Sequence, residues 1–345
     1  MKAVVIHGAK DLRVETREIN GLGDEDVLLD VEFGGICGSD LHYYNHGGFG
    51  AIRVREPMVL GHEVSGVIRQ VGPSVTGLNL GDRVAISPSR PCGDCTFCDQ
   101  ALHHHCLNMR FYGSAMPMPH IQGAFSQSLV ANASQCHVIA PHVAPEIAAF
   151  AEPLAVVLHA MNRAGDLTDA RVLITGAGPI GALCLLAAKE RGATEVVITD
   201  LLDPALEHAC KQGADRAINV TSDSGWSETY AANKGYFDVM FECSGNESAL
   251  RSGLECLRPQ ATLVQVGLGG DVNLPQNTIV AKEIEIKGAF RFHPEFSDAV
   301  AAINGGHLSL APLLSAQFGV DDAVAAFELA SDRSRAMKVQ LDFRT

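Results

Sequence analysis

Four cysteines fall within fifteen residues as Cys92-x2-Cys95-x2-Cys98-x7-Cys106. Thiolates at that spacing suit a tetrahedral zinc ion, because each x2 turn presents two sulfurs to one metal at about 2.3 Å. Such a site is structural: it orders a loop that lacks the apolar residues to order itself. A redox CxxC reading needs a thioredoxin-like βαβ setting and leaves two thiols unexplained. His103-His104-His105 lies in the same loop. With four thiols already completing a shell, these read as three solvated loop histidines.

A second set of donors is spread along the chain. Cys37 stands in Gly34-Gly35-Ile36-Cys37-Gly38-Ser39-Asp40, His62 and Glu63 in Gly61-His62-Glu63, and Glu152 in Phe150-Ala151-Glu152-Pro153. Singly, each has a plain reading as a buried thiol, a core histidine or a helix-start carboxylate. Together they offer soft, borderline and hard donors for one zinc with a position left for substrate, on the condition that the fold brings them together.

A third signal is Val172-Leu173-Ile174-Thr175 running into Gly176-Ala177-Gly178-Pro179-Ile180-Gly181 and an apolar helix. A GxGxxG that ends a strand and opens a helix is a dinucleotide-binding turn. Gly176 permits the tight turn, Gly178 lets the backbone approach a pyrophosphate, and Gly181 lets helix and strand pack closely. The helix N-terminus, opened by Pro179 and Ile180, supplies N–H groups and partial positive charge for the phosphates. Asp200 ends the next strand, 19 residues after Gly181, where it can accept from both ribose hydroxyls. A 2′-phosphate would meet a carboxylate there, which favours NAD over NADP. Val266-Gly267-Leu268, after a later strand, reads either as a lid over a nicotinamide or as an ordinary strand-to-loop turn.

The elements that must position these groups follow from composition and pattern. The chain has 345 residues, with 26 Lys+Arg against 40 Asp+Glu and a formal charge of −14. That length suggests about two domains, and 47% apolar residues suffice for a packed core. The acidic balance argues against a duplex nucleic-acid partner. No apolar run approaches the ~20 residues of a membrane span, and no secretory signal is evident. The ten cysteines therefore read as those of a reducing, cytoplasmic compartment. Short β-type runs, Ala3–Ile6, Val27–Phe33, Val64–Val71 and Arg83–Ile86, alternate with glycine-containing turns as in an antiparallel unit. From Arg171 the rhythm changes. Strands Arg171–Thr175, Glu195–Thr199, Arg216–Val220, Phe237–Glu242, Thr262–Val266 and Ile284–Gly288 alternate with helices Pro179–Arg191, Pro204–Gln212 and Asn246–Leu257, with Asp203 as the cap of the second and Gly213 as its end. This is the pattern of an α/β, doubly wound parallel sheet. The tail shows a helix over Asp321–Ala330 and an apolar run over Lys338–Phe343. With no further βα unit, it returns to the first domain, leaving two domains with a cleft between them.

Gly35-Ile36-Cys37-Gly38-Ser39-Asp40-Leu41-His42, Gly61-His62-Glu63, the cysteine lobe, the GAGPIG turn and Asp200, in this order along nearly the whole chain, resemble the zinc-dependent medium-chain dehydrogenases. Glu152, standing where alcohol dehydrogenases carry a cysteine ligand, resembles the sorbitol dehydrogenase branch. The resemblance implies a GroES-like β-rich catalytic domain (residues 1–150 plus 290–345, with a structural zinc lobe at 88–110) around a Rossmann NAD-binding domain (151–289). It implies two zinc ions per chain, NAD, and a homo-oligomer, dimer or tetramer. Catalytic zinc would be held by Cys37, His62 and one or both of Glu63 and Glu152, either of which can bind the metal while the other holds a water. Ser39 would take the hydroxyl proton and pass it through the cofactor ribose to His42. Tyr43 and Arg291 align with substrate contacts of polyol dehydrogenases. The strings Met109-Arg110-Phe111-Tyr112-Gly113-Ser114-Ala115-Met116, Lys234-Gly235-Tyr236-Phe237-Asp238-Val239 and Phe290-Arg291-Phe292 resemble the members of this family that act on sugar acids, and that resemblance implies L-idonate, interconverting with 5-keto-D-gluconate, as substrate. A carboxylate there needs a cation, for which Arg110 and Arg291 are candidates, though either also reads as a solvated charge or structural ion pair. Ala205 departs from the family, whose sorbitol dehydrogenases carry an arginine beside the adenosine ribose; its loss leaves Asp200 unopposed and strengthens the NAD reading. The alternatives are a polyol or L-threonine as substrate, or a cofactor-binding scaffold without catalytic zinc.

Overall fold

The computed structural model describes residues 1–19 and 21–344. Within it the chain divides into two units, Met1–Ala155 with Phe292–Asp332 and Lys338–Thr345, and Val156–Arg291 with Arg333–Met337.

In the first unit the strand Asp26–Gly35 turns Val27, Leu29, Val31 and Phe33 into the core, the period of two that a sheet with one covered face requires. It pairs antiparallel with Glu63–Val71, Ser128–Asn132 and Lys338–Asp342 in a seven-stranded sheet. The last strands join this sheet by a route the sequence reading did not contain. Leu314–Gly319 runs parallel to Lys338–Asp342, joined to it by the helix Ala323–Ser331, so the tail does hold a βαβ crossover. Its first strand lies at the sheet edge and alternates half-buried with exposed residues, so it carries no continuous apolar run to announce it.

The second unit is a six-stranded, all-parallel sheet in the order Arg216–Asn219, Glu195–Asp200, Arg171–Thr175, Phe237–Glu242, Leu257–Gln265, Glu285–Gly288. Strand order reverses between Arg171–Thr175 and Phe237–Glu242, and in such sheets ligands bind at the carboxyl ends beside that point. Leu173, Val197, Phe237, Met240, Leu254 and Leu263 share one core. Each such buried side chain contributes roughly 1.5–3 kcal/mol. The helix Asp203–Lys211 follows Leu202, which provides no side-chain cap. Asp203 is inside the helix rather than capping it, because its carboxylate accepts from Asn219 Nδ2 at 2.5 Å. Gly213, at φ +96°, lies just past the helix end. Among the described residues no helix is long and apolar enough to cross a membrane.

Candidate active site

The strand Asp26–Gly35 delivers Cys37 to the start of the helix Gly38–His46. Asp40, in the first turn and fully buried, ties two loops together: its carboxylate accepts from Cys37 N–H at 3.1 Å and from Gly61 N–H at 3.2 Å. Those loops carry Cys37 and His62. Glu63 opens the next strand, and Gly35 across the ladder leaves it room, since a Cβ there would lie 2.1 Å from Glu63 Oε2. The donor atoms of Cys37, His62 and Glu63 consequently lie within 4.8 Å of one another. His62 is buried with its ring against Phe111 (centroids 5.6 Å). Its Nδ1 has no hydrogen-bond partner among the described residues and faces Asp40 Oδ1 at 3.8 Å. A carboxylate behind a histidine is the arrangement that orients an imidazole toward a metal.

Glu152 is buried in the first turn of the helix Ala151–Ala164. It stands outside the 4.8 Å set, yet His62, Glu63, Cys37 and Lys338 all act on its carboxyl. Lys338 is a residue that sequence reasoning missed. Buried in the first position of its strand, it donates to Glu63 Oε1 and Oε2 at 2.8 and 2.7 Å and to the Ile36 carbonyl at 3.2 Å. Burial opposes the ammonium, but Glu63, Cys37 and Glu152 outweigh it and hold its pKa above the ordinary value. Burial pushes the Cys37 thiol up to about 12, with Glu63 adding to the effect. It raises Glu152 to about 8 against the pull of His62, and it raises Asp40 despite His62. The Cys37 thiol and the carboxyls of Glu63 and Glu152 thus share one ammonium. Sulfur, imidazole and oxygen donors short of positive charge are a set that fits a divalent zinc.

The remaining residues named from sequence fall in several places. Ser39 is half-buried on the same helix as Cys37, and His42 is exposed one turn further on. Burial, with His46 beside it, lowers His42 below its ordinary value. Tyr43 is buried and its hydroxyl accepts from Ala115 N–H at 3.1 Å. Arg110 is exposed and, with Arg17 and Arg90, lines a cavity of about 730 Å³ that includes none of Cys37, His62, Glu63 or Glu152. Arg291, in the second unit, has a left-handed backbone (φ +54°) and lies 5.0 Å over the Phe290 ring.

The cysteine lobe brings Cys92, Cys95, Cys98 and Cys106 within 4.8 Å of one another. Sulfur pairs lie 3.3 Å (Cys92, Cys106) and 3.6 Å (Cys95, Cys98) apart. Disulfide sulfurs would be ~2.05 Å apart, and four tetrahedral zinc ligands about 3.8 Å. The Leu107 and Cys98 backbone N–H groups lower Cys95 to about 6, toward the thiolate that zinc takes. The neighbouring histidines are not all solvated. His103 and His104 are half-buried, and His103 stacks on His293 at 4.1 Å, because the 3₁₀ turn His103–His105 points one ring inward.

In the second unit Gly178 leads into the helix Pro179–Glu190. A Cβ on Gly181 would lie 1.8 Å from the Gly176 carbonyl, so only glycine allows that approach. Asp200 accepts from Ala177, Leu201 and Leu202 N–H at 2.7, 2.7 and 3.1 Å, clamping the turn to the strand end. Ala205 is buried. Glu242, also missed from sequence, is fully buried at the carboxyl end of its strand. It accepts from Thr175 Oγ1 (3.2 Å), Ser244 N–H (2.9 Å), Gly245 N–H (3.0 Å), Gln265 Nε2 (2.6 Å) and the Ser244 hydroxyl. Its backbone carbonyl accepts from Val266 and Gly267 N–H, which fixes the loop that Leu268, 76% exposed, continues. These turns fit a dinucleotide.

The chain also resembles known proteins. The family described as "Alcohol dehydrogenase GroES-like domain" matches residues 23–141, and "Zinc-binding dehydrogenase" matches residues 179–305. The chain is 41% identical over 343 residues to an L-idonate 5-dehydrogenase (NAD(P)(+)) of Escherichia coli K12, covering 99% of this chain and 98% of that protein. It is 37% identical over 331 residues to a sorbitol dehydrogenase of Macaca fascicularis, covering 94% and 91%. The crystal structure of the Escherichia coli L-idonate 5-dehydrogenase matches with a TM-score of 0.95 over 99% of this chain and 97% of that one.

Proposed function

Because this chain belongs to the zinc-binding dehydrogenase family, we propose that it oxidises a secondary alcohol of a sugar acid, L-idonate to 5-keto-D-gluconate, with NAD in preference to NADP. The observation that carries the reading is the convergence of half-buried Cys37 with buried His62 and Glu63 within 4.8 Å, in a chain 41% identical to an L-idonate 5-dehydrogenase. The family's zinc and NAD(P) supply, when bound, a Lewis acid that makes an alcohol acidic near neutral pH and a hydride acceptor. Cys37 and His62 hold the catalytic zinc, with Asp40 orienting the imidazole. Lys338 occupies both oxygens of Glu63 and so competes for that carboxylate, which favours Glu152 as the oxygen donor. Cys92, Cys95, Cys98 and Cys106 hold a second, structural zinc. Ser39 accepts the hydroxyl proton and His42, exposed on the same helix, hands it to solvent. Gly176, Gly178 and Gly181 seat the diphosphate, and Asp200 faces the ribose, where a 2′-phosphate would be repelled. Arg110 lines a cavity apart from the zinc donors, which leaves Arg291 as the candidate cation for the substrate's carboxylate. The protein works as a homo-oligomer.

Sorbitol dehydrogenases at 36–37% identity support a second reading, a polyol substrate. Comparing kcat/KM for L-idonate and its alditol at saturating NAD separates the two. A carboxylate–guanidinium bond of about 1.5–3 kcal/mol predicts a preference for idonate of roughly tenfold or more; equal values overturn the sugar-acid reading.

A further inference from the structure

Several arginines of this acidic chain are held by carboxylates. Arg13, Arg69, Arg83, Arg171 and Arg344 each pair with one. Arg333 does not. It is exposed and makes no hydrogen bond, ion pair or ring contact with any described residue. Its guanidinium nonetheless has a definite place. A Cβ built on Gly178 would meet Arg333 Nη2 at 2.9 Å and Cζ at 3.8 Å. Gly178 is the residue before the twelve-residue helix Pro179–Glu190. Arg333–Met337 belongs to the same unit as that helix, although Lys338 onward belongs to the other. The tail therefore lays an unpaired cation on the one glycine whose missing side chain lets a diphosphate approach the backbone.

Two positive fields meet at that point, the helix N-terminus and a planar guanidinium that can offer two parallel N–H bonds to phosphate oxygens. Asp200, at the end of the next strand, accepts from three backbone N–H groups and makes no ion pair with Arg333. We infer that Arg333 is a binding residue for the diphosphate of the dinucleotide, a cation that the C-terminal tail supplies to the glycine turn. The inference rests on the dinucleotide reading of this unit proposed above. It assigns to the tail a share of cofactor affinity that the GxGxxG pattern does not contain.

Titrations of the zinc-loaded protein with NADH, ADP-ribose and adenosine test it, using wild type, Arg333→Ala and Arg333→Lys at low and high salt. Removing a charged hydrogen-bond partner should weaken NADH and ADP-ribose about 10- to 100-fold in Arg333→Ala, and adenosine, which has no phosphate, less than about twofold. Arg333→Lys should recover part of the loss, since it keeps the charge without the fork. NADH affinity should also become less sensitive to salt in Arg333→Ala. The melting temperature of the ligand-free variant should equal that of wild type, because Arg333 bonds to no described residue. The inference is overturned if Arg333→Ala binds ADP-ribose within about twofold of wild type, or if adenosine is weakened as much as ADP-ribose. Wild-type protein that binds neither NADH nor ADP-ribose would instead overturn the dinucleotide reading itself.

Discussion

Taking an ammonium out of water costs several kcal/mol unless its partners are held at hydrogen-bond distance, and Lys338 meets both Glu63 oxygens and the Ile36 carbonyl at 2.7–3.2 Å. Removing one member of such a pair strands the other. Lys338→Met should therefore destabilise the first unit by about 3–5 kcal/mol, measured by denaturant unfolding of the zinc-loaded protein. Lys338→Met with Glu63→Gln should recover most of that loss, and a double variant no more stable than Lys338→Met would show that Glu63 is not its partner. His42 lends itself to a pH test. Its ordinary value is 6.5, and burial and His46 hold it lower, so it stays neutral and able to accept a proton to below pH 6.5. The acid limb of kcat that belongs to it should lie there. His42→Ala should slow turnover most toward low pH, where solvent bases are scarce, by roughly 10- to 100-fold, and small buffer bases should restore part of the rate. A loss equal at every pH, or none, would take His42 out of the proton path.

At the scale of elements, what could be read from sequence depended on how each segment is buried. Arg171–Thr175 and Glu195–Asp200 are covered on both faces, so they appear as near-continuous apolar runs and were legible, as was the glycine turn between them. Val27, Leu29, Val31 and Phe33 showed the other period, that of a sheet with one face covered. Leu314–Gly319 is an edge strand with no fully buried residue, and nothing local distinguishes it from a loop. The same physics governs the site. The residue types of Cys37, His62, Glu63 and Glu152 were legible because thiol, imidazole and carboxylate are the chemistry itself. Lys338 was not, because a lysine that begins a strand reads as a solvated end, and the contact that buries it lies 275 residues away. Asp40 looked like an acid in a helix's first turn, which it is; that it also bonds Gly61 across the fold is a tertiary fact. Glu242 gave no sign, since three of its donors come from the turn it organises, Ser244 and Gly245.

For the whole molecule, the parallel sheet ends at Glu285–Gly288, a strand with one unpaired edge. Such an edge presents free N–H and C=O groups and is covered, blunted by charge, or paired with another chain. Around it Ile286, Leu274 and Leu268 are 42%, 43% and 76% exposed and line one cavity of about 440 Å³ with Val272. Exposed apolar residues gathered at a strand edge mark an interaction surface, and the homo-oligomer proposed above would close it with a second copy of the same strand by two-fold symmetry. Ile286→Asp would place a carboxylate at the centre of that interface on both copies, where like charges and desolvation add. Sedimentation at micromolar concentration should find wild type as a dimer or larger assembly and Ile286→Asp shifted toward the monomer, with the fold of each chain intact by circular dichroism. An Ile286→Asp protein that sediments like wild type would place the contact elsewhere, and a monomeric wild type would remove the homo-oligomer altogether.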